Sequence, residues 1–404
     1  MEIFWFFAAI TTFGLIVYFF QILAIHIHSP RQYPSFREGV SLPSSFPPIS
    51  ILKPMRGLDD NLFDNLESFC LLDYPKFEII FCLQDRNDPA HKIALKIKDK
   101  YPDKDISIVV ERCNEGLNPK VNNLMPGYRA AKYEHILISD SNVSVSRYYL
   151  KEIAVHMRDS SVGLVTNVIR GTGAHSIGSI FENLHLNSFI IGSVCFLDRF
   201  FKMPCVIGKS MLMRKADIEA IGGLGSVKDI LAEDYIVGER MQRAGKKVVL
   251  SNHMINNVNE YWGIRRFLNR HTRWGKLRWR IGGVKYFSEL ICNPVFMSSL
   301  PVLLWEPSRI TISFALITCI IKTIGDFHIG EKLGSRLNPL AYLLSPVKDL
   351  FIGLIWFVPI LSNTVVWRGN RYVIGKDSML SPCPESGVWS WTYRIFDAIR
   401  ARLA

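Results

Sequence analysis

The stretch FEIIFCLQD, residues 77–85, is an apolar run that ends in an acidic residue. Three similar runs are PISILKP (48–54), ISIVVE (106–111) and HILISDSN (135–142). The helical patterns NLFDNLESFCLL, AHKIALKIKDKY and VNNLMPGYRAAKY separate these runs. Strands that alternate with helices are typical of a mostly parallel sheet with helices on both faces. The sequence therefore predicts an α/β domain.

Two of these runs place an acid, Asp85 and Asp140, at the carboxyl end of a strand, where such sheets bind ligands. Strand-end acids also cap the following helix, so each acid alone is a weak signal. The turn after the first strand, KPMRGLDDN, lacks the glycine pattern of a dinucleotide-binding fold. The GKS at Gly208–Ser210 is not a P-loop, because Met203 stands where that motif needs glycine.

The composition favours a membrane-associated protein with reduced thiols. The chain has 404 residues, is 49% hydrophobic and carries a formal net charge of +12. Such a charge attracts nucleic acid, anionic lipid or an anionic substrate. The eight cysteines form no CxxC pair, which fits reduced thiols on the cytosolic side better than disulfides or a zinc site.

The stretch IFWFFAAITTFGLIVYFFQILAI, residues 3–25, is uncharged and long enough to cross a bilayer. It lacks the basic start and the small-residue cleavage site of a signal peptide, and its apolar run is too long for one. We therefore expect residues 1–27 to form a retained transmembrane helix. Arg31 and Arg37 follow this helix, so the central region is predicted to be cytosolic.

Three more apolar stretches form the C-terminal membrane segments, residues 286–362. Two prolines break the first, ELICNPVFMSSLPVLLW (289–305), so we expect it to be interfacial or re-entrant. The other two, 310–324 and 340–361, are the favoured membrane crossings.

The last of these stretches carries Lys348 and Asp349, which should face protein or water rather than lipid. Residues 363–404 are predicted to form a cytosolic tail because they are basic. The tail cations are Arg368, Arg371, Lys376, Arg394, Arg400 and Arg402. An even number of crossings must then follow the central region.

Four motifs follow one another along the chain: LQD at Asp85, SDSN at Asp140, AEDY at Asp234 and RHTRW at 270–274. Their order resembles the D, DxD, (E)D, (Q/R)xxRW pattern of inverting family-2-type glycosyltransferases. The segments ILKPMRG, NLESFCLLDYPKFEIIFCLQDRNDPA, NPKVNNLMPGY, CVIGKSMLMRK and LAEDY are similar to the ceramide glucosyltransferase family, family 21. The resemblance covers about residues 48–280, and WRGNRY near the C-terminus is similar too.

The resemblance implies a GT-A-type nucleotide-sugar-binding domain over residues 28–260, with membrane and interfacial helices on either side. The implied activity is transfer of a sugar, glucose by expectation, from a UDP-sugar to a lipid hydroxyl with inversion. Ceramide is the expected acceptor type, and Mg²⁺ or Mn²⁺ is the expected cofactor. Residues 261–285 are predicted to form an amphipathic interface helix, because basic residues and tryptophan together suit the headgroup region.

The donor-site residues follow from the resemblance and from the chemistry of a diphosphate. Asp140 and Asn142 are the candidate ligands of the cation, since Mg²⁺ and Mn²⁺ prefer oxygen ligands. Asn142 is neutral where the family more often has an acid or a small residue. Asp85 is expected at the uracil or ribose end of the donor. Lys53 and Lys120 are candidate donor contacts, or else ordinary solvated lysines.

Asp234 is the candidate general base, because a positioned carboxylate can take the proton of an acceptor hydroxyl. A helix N-cap is its alternative role, and Glu233 is the alternative base. Arg270 and Arg273 are three residues apart on one helix face and suit phosphate oxygens. Trp274 completes the motif and is expected beside the donor.

The acceptor is expected near residues 181–204, an apolar stretch interrupted by polar side chains. His185 and Asn187 are the candidate acceptor contacts, with a structural role in the core as the alternative. The run LHLNSFIIGS lacks the His-Pro-containing run of the animal ceramide enzymes and looks more like bacterial relatives, some of which glycosylate hopanoids or other lipids.

Other functions fit some of the same features. A processive polysaccharide synthase shares the motifs but has more spanning helices after RxxRW. A polyprenyl-phosphate sugar transferase often lacks RxxRW. A basic non-enzymatic binder is disfavoured because no nucleic-acid-binding module is present. We therefore expect an integral membrane enzyme with a cytosolic catalytic domain, acting on hopanoid or diacylglycerol if not on ceramide. It would lie in the inner membrane of a bacterium or the Golgi of a eukaryote.

Overall fold

The computed structural model of the protein describes residues 2–28, 46–305, 307–367 and 370–383. Six arginines on which the predicted membrane orientation partly rests lie outside these ranges: Arg31, Arg37, Arg368, Arg394, Arg400 and Arg402.

The strands in the described ranges form two sheets. They are Ile49–Pro54 (β1), Phe77–Leu83 (β2), Ile106–Val110 (β3), His135–Ile138 (β4), Val143–Ser144 (β5), Val162–Thr172 (β6), Met211–Arg214 (β7), Lys247–Val258 (β8), Thr364–Trp367 (β9), Asn370–Ile374 (β10) and Leu380–Pro382 (β11). The large sheet has the order β3-β2-β1-β4-β7-β6-β8-β5. Its first four strands are parallel, as are β6 and β8, whereas β7 and β5 run antiparallel to their neighbours.

Helices cover both faces of this sheet or extend away from it. They are Glu2–His28 (α1), Leu62–Cys70 (α2), Pro89–Lys100 (α3), Pro119–Ala130 (α4), Tyr149–Ala154 (α5), Ile177–His185 (α6), Ile191–Phe201 (α7), Lys215–Ala220 (α8), Glu233–Arg243 (α9), Ile264–Gly282 (α10), Phe287–Ile291 (α11), Pro294–Leu304 (α12), Arg309–Lys332 (α13), Ser345–Ile355 (α14) and Val358–Leu361 (α15).

The side chains of β1 show why the sheet is covered on both sides. Alternate residues of a strand point to opposite faces. Ile49 and Ile51 pack into one core cluster with α2 and α3, whereas Leu52 packs into a second cluster with α4 and α9. The prediction of an α/β domain with a mostly parallel sheet is therefore confirmed.

Several helices are long and apolar enough to span a membrane, by length and composition: α1, α13, the stretch 177–201 and the stretch 339–361. The stretch 177–201 comprises α6, a π-helical turn and α7, and 67% of its apolar window is buried inside the protein. It packs against β6, α1 and α10. We therefore assign it to the catalytic part of the molecule.

Helices α1 and α13 lie side by side and run in the same direction. The rings of Phe4 and Phe314 are 5.7 Å apart near their N-terminal ends. Tyr18 donates a hydrogen bond to Asp326 at 2.7 Å further along. Near the C-terminal ends His26 stacks on His328, and α1 then reaches the catalytic domain.

The contacts of the segments after α10 show which of their ends lie at the catalytic domain. Arg170 of β6 donates to the carbonyl of Leu333, so α13 ends at the catalytic domain. Before α13, helices α10–α11 and α12 form a pair bent by 70°, which fits either a broken membrane span or a re-entrant loop.

The two ends of the stretch 339–361 both lie near the catalytic domain. It starts near Leu333 and returns to the catalytic domain, where Lys276 of α10 donates to the carbonyl of Thr364 at 2.5 Å. By length and composition 339–361 is a candidate span, and 264–304 is a bent pair of helices that fits either a broken span or a re-entrant loop. The assignment of 289–305 as interfacial and of 340–361 as a crossing therefore stays a prediction, and the contacts at the ends of the two stretches give the reverse assignment as its alternative. Lys348 and Asp349 face protein, as expected, with 0% and 5% of their surfaces exposed.

Residues 364–382 form a small antiparallel sheet of β9, β10 and β11, which the sequence analysis did not anticipate. Val365, Tyr372 and Leu380 pack against Leu231, immediately before α9. This part of the predicted tail is therefore folded onto the catalytic domain.

Candidate active site

Segments from four parts of the chain meet at Gly208, just before β7. The Lys120 ammonium lies 3.0 Å from an oxygen of Asp140 and 3.0 Å from one of Glu233. Lys120 also donates to the carbonyl of Gly208 at 2.8 Å. The N–H of Gly208 donates to Asp234 Oδ2 at 2.8 Å. The structure thus brings three of the residues expected from the sequence, Lys120, Asp140 and Asp234, to one glycine.

The glycine is required by this close approach. A Cβ atom on Gly208 would lie 2.7 Å from Asp234 Oδ2 and 3.0 Å from Lys120 Nζ. Any side chain at this position would therefore push the carboxylate and the ammonium apart.

The first turn of α4 positions Lys120. The side chain of Asn118 caps this helix by accepting from the N–H of Lys120 at 2.8 Å. Its amide donates to the carbonyl of Ile230 at 2.6 Å and to Glu233 at 3.2 Å. One buried asparagine therefore ties the start of α4 to the start of α9, which carries the candidate base.

The charges of the cluster shift its pKa values in opposite directions. Burial opposes ionisation of Asp140, but the ammonium groups of Lys120 and Lys209 outweigh it and hold the pKa of Asp140 below its ordinary value. Burial disfavours the charge on Lys120, but the nearby carboxylates hold its pKa above the ordinary value. Burial, and next the carboxylate of Glu233, raise the pKa of Asp234 to about 6. Asp140 is thus a fixed anion, and Asp234 is a carboxylate that exchanges protons near neutral pH.

Lys53 and Asp85 have different surroundings at the same edge of the sheet. Lys53 is fully buried, donates to the backbone carbonyl of Asp140 at 2.7 Å and lies 3.6 Å from the ring centre of Phe69. This hydrogen bond stabilises the backbone just after the end of β4. Asp85 is exposed after β2, and one of its oxygens accepts from the N–H of Asn87 at 2.8 Å.

Lys209 is a site residue that sequence reasoning missed. Its ammonium donates to Asp140 Oδ2 at 3.2 Å and to Asn142 Oδ1 at 2.6 Å, and its side chain is 11% exposed. The GKS motif is incomplete as a P-loop, and that comparison left its lysine without a role. Lys209 lies in the loop before β7, and β7 lies next to β4 in the sheet. Because this neighbourhood depends on strand order, the spacing of residues along the chain does not reveal that Lys209 is close to Asp140.

The oxygens expected to hold a divalent cation are engaged by lysines. Asp140 Oδ1 contacts Lys120, while Asp140 Oδ2 and Asn142 Oδ1 contact Lys209. Within the described residues no group of three or more His, Cys, Asp or Glu side chains could hold a metal ion. Mg²⁺ usually takes one or two carboxylates from the protein and its other ligands from phosphate and water. An ion held by Asp140 and Asn142 would therefore have to displace both ammonium groups from these oxygens.

Helix α10 carries the RxxRW motif into the site. Arg270 forms an ion pair with Glu182 at 3.1 Å, between the rings of Trp262 and Trp274, at 5.0 and 4.4 Å from its guanidinium carbon. His271 contacts the other oxygen of the same glutamate at 2.8 Å. Glu182, which the sequence did not single out, is fully buried and fixes both residues.

The same helix links the C-terminal sheet to the lysine cluster. The guanidinium carbon of Arg273 lies 6.0 Å from the ring centre of Trp367 in β9. Burial lowers the pKa of Lys209, Asp140 opposes this, and the positive charge of Arg270 lowers the pKa further. The positive charges of Arg270 and Lys209 therefore lie close enough to repel each other.

An acidic proton acceptor, buried lysines and an arginine–tryptophan helix on an α/β sheet are the parts that a sugar transferase needs. A family model described as Glycosyl transferase family 21 matches residues 7–380. The chain belongs to glycosyl transferase family 21. It is a membrane-bound glycosyltransferase built on an eight-stranded, mostly parallel sheet.

Curated relatives of this family 21 chain have matching names. Ceramide glucosyltransferase 3 of Caenorhabditis elegans is 27% identical over 92% of this chain and 81% of the relative. Ceramide glucosyltransferase 1 of the same organism is 27% identical over 89% of this chain and 76% of the relative. Among solved structures, the mannosyltransferase PcManGT from Pyrobaculum calidifontis in complex with GDP-Man and Mn²⁺ is 16% identical. That match has a TM-score of 0.47 and covers 88% of this chain and 99% of the other.

A cleft in the family 21 chain opens between the membrane helices next to α10. Its wall includes His185, His271, Arg278, Asn293 and Trp356. His185 is 2% exposed, and its ring nitrogens have no hydrogen-bond partner in the described part of the chain. The cleft thus presents unsatisfied polar atoms within a largely apolar wall.

Asn187, the second candidate acceptor contact, lies apart from this wall. Its amide accepts from the N–H of Gly171 at 2.7 Å and donates to the carbonyl of the same residue at 3.0 Å. This pairing holds the π-helical turn of 177–201 on β6. The structure therefore brings His185, and not Asn187, to the cleft.

Proposed function

We propose that this protein transfers glucose from UDP-glucose to the hydroxyl of a ceramide-type lipid, with inversion at the anomeric carbon. Membership of family 21 and the names of the relatives support the acceptor class and the sugar. The observation that carries the proposal is the position of Asp234, with a raised pKa and a carboxylate held by Gly208 beside the lysine cluster.

Asp234 is the base in this proposal. A carboxylate whose pKa is about 6 is ionised at neutral pH and still basic enough to take a hydroxyl proton. Glu233 is bound to Lys120 and Asn118, which makes it the less available of the two acids.

The transfer is a single displacement. The acceptor oxygen bonds to the anomeric carbon as its proton passes to Asp234. The bond from that carbon to the β-phosphate oxygen breaks, and UDP leaves with the electron pair. Because attack and departure are on opposite faces, an α-linked donor gives a β-glycoside. The carbon passes through an oxocarbenium-like state, as in glycoside hydrolysis.

In this proposal, cationic side chains stabilise the negative charge that develops on the leaving UDP. Lys120, Arg270 and Arg273 are assigned to the diphosphate, and Trp274 to the wall between donor and acceptor. Asp85, exposed at the end of β2, is assigned to the uridine. Fixed charges in a largely buried site stabilise a developing anion better than water does.

Three of the roles predicted from the sequence have no part in the proposed transfer. Mg²⁺ or Mn²⁺ at Asp140 and Asn142 is one, and no step above is routed through either ion. A direct donor contact by Lys53 is another, since its ammonium binds the backbone below the site. An acceptor contact by Asn187 is the third.

The acceptor is proposed to enter through the cleft beside α10. His185 offers an unsatisfied ring nitrogen to a hydroxyl or amide of the lipid, and the apolar wall suits its chains. We place the catalytic domain on the cytosolic face, in the inner membrane of a bacterium or the Golgi of a eukaryote.

The test is a transfer assay with purified protein in detergent and radiolabelled UDP-glucose. Ceramide, diacylglycerol, a hopanoid and no lipid are offered in parallel, with Asp234→Asn as the control. Label in ceramide that is absent with the variant supports the proposal. Label only in another lipid replaces the acceptor, and label in polymer would identify a polysaccharide synthase. A product seen only with UDP-galactose or UDP-N-acetylglucosamine replaces the sugar.

A further inference from the structure

Lys209 lies between Asp140 and Asn142, the two side chains that were predicted to hold a divalent cation. Its ammonium lies within hydrogen-bond distance of Asp140 Oδ2 and of Asn142 Oδ1, at 3.2 and 2.6 Å. Lys120 contacts the remaining oxygen of Asp140 at 3.0 Å. Every side-chain oxygen of the pair therefore has a positively charged partner supplied by the chain itself.

The neighbours of Lys209 show that this placement is built into the fold. On one side, Gly208 is held by Lys120 and Asp234 through its carbonyl and its N–H. On the other side, the hydroxyl of Ser210 donates to Asn167 at 2.6 Å, inside the core. With the backbone fixed at both neighbours, Lys209 extends into the site and not into solvent.

Asn142 fits a lysine better than it fits a metal. A neutral amide oxygen adds no negative charge with which to bind a divalent ion, but it is a good acceptor for an ammonium N–H. An ammonium has three N–H donors. Two point to Asp140 and Asn142 in the described structure, which leaves one for an oxygen of the ligand.

We propose that Lys209 is a resident cation that replaces the divalent metal in this enzyme. Its third N–H donates to a phosphate oxygen of the nucleoside diphosphate and stabilises that group as it leaves, so the transfer proceeds without Mg²⁺ or Mn²⁺. The inference rests on the proposed sugar transfer for its reaction, but its binding part concerns only a nucleoside diphosphate. The bonds made and broken are those of the displacement above, and Lys209 neither gains nor loses a proton.

Activity tests the proposal through Lys209→Met, which keeps most of the side-chain length and removes the charge. We expect the wild-type enzyme to keep its rate in EDTA. Loss of one such charge-stabilising donor should lower the rate of Lys209→Met in EDTA by roughly 100-fold or more. Lys209→Arg should retain part of the activity. Lys247→Met removes an exposed lysine that pairs with Asp159 and should behave as wild type.

Binding provides a readout that does not depend on the acceptor or on turnover. UDP binding to the full-length protein is measured by calorimetry in EDTA, and Mn²⁺ binding by electron paramagnetic resonance with and without UDP. We expect wild type to bind UDP in EDTA and to bind no Mn²⁺. We expect Lys209→Met to lose UDP affinity and to recover part of it with Mn²⁺, because the oxygens of Asp140 and Asn142 become available.

The outcomes separate the two proposals. Wild-type protein that binds Mn²⁺ with UDP, or that needs Mn²⁺ for UDP binding or transfer, overturns the role of Lys209. Equal UDP affinity in wild type and Lys209→Met in EDTA overturns it as well. Normal UDP binding with no transfer to any lipid contradicts the proposed function and leaves the role of Lys209 standing on the binding data.

Discussion

The carboxylate of Asp234 accepts backbone N–H groups from Gly208 and Tyr235, each at 2.8 Å, so both of its oxygens have fixed directions. Asp234→Asn keeps the size of the side chain but cannot accept a proton. We expect the transfer rate to fall by about 10²–10⁴-fold while UDP affinity changes little. Single-turnover transfer and calorimetric UDP titration measure the two quantities. Unchanged turnover in this variant would remove Asp234 from the role of base.

The raised pKa of Asp234 gives a second expectation at the residue scale. Its pKa is about 6 because of burial and the nearby Glu233, although Lys120 opposes this shift. A base works in its ionised form, so the rate should rise as the pH increases through about 6 and then level off. The measurement is a pH profile of kcat/KM at saturating nucleotide, with the fold checked at each pH. A profile that stays flat across this range would mean that another group takes the proton.

The junction between α6 and α10 depends on a buried glutamate. Glu182 binds Arg270 and His271 and is 0% exposed, so Glu182→Gln leaves the guanidinium without its counter-charge. Breaking a buried ion pair in this way typically costs about 3–5 kcal/mol. We expect a lower melting temperature and a higher KM for the donor, because Arg270 loses its position. Thermal unfolding and steady-state kinetics provide the check.

An ion pair between α10 and α11 offers a matched control. Glu289 of α11 pairs with Arg278 at 2.5 Å, with 20% and 35% of the two side chains exposed. A partly exposed pair contributes less, about 0–1 kcal/mol, so Glu289→Gln should change stability little. Equal effects of the two substitutions would argue against a special role for Glu182.

Local pattern predicted the elements of the central domain well. The runs at 48–54 and 77–85 became β1 and β2, and AHKIALKIKDKY became α3, because alternation and helical period reflect local burial. Lys209 and Glu182 could not be found in this way, since their partners are distant in sequence. The sheet at 364–382 was missed because its strands of three to five residues show little periodicity.

At the scale of the whole molecule, both long apolar helices and the C-terminal sheet are tied to the catalytic domain. Helices α1 and α13 run in parallel, and α13 ends at Arg170. The stretch 339–361 returns to Lys276. Hydropathy favours 340–361 as a crossing, because it measures apolar length and carries no information about which side of the membrane each end lies on. If 340–361 crosses the membrane, the loop before α13 lies on the side of the catalytic domain and the loop after α13 lies on the far side. If 339–361 is re-entrant, the positions of the two loops are exchanged.

Cysteine labelling distinguishes these arrangements. Leu304→Cys and Arg336→Cys place thiols at exposed positions before and after α13. Lys96→Cys marks the catalytic domain, where Lys96 is exposed on α3. In sealed vesicles we expect an impermeant maleimide to label positions 96 and 336 from one side and position 304 only from the other. Peptide mass spectrometry assigns the label, so the native cysteines do not interfere. If position 304 labels with position 96, and position 336 labels from the opposite side, then 339–361 crosses the membrane and the re-entrant assignment is wrong.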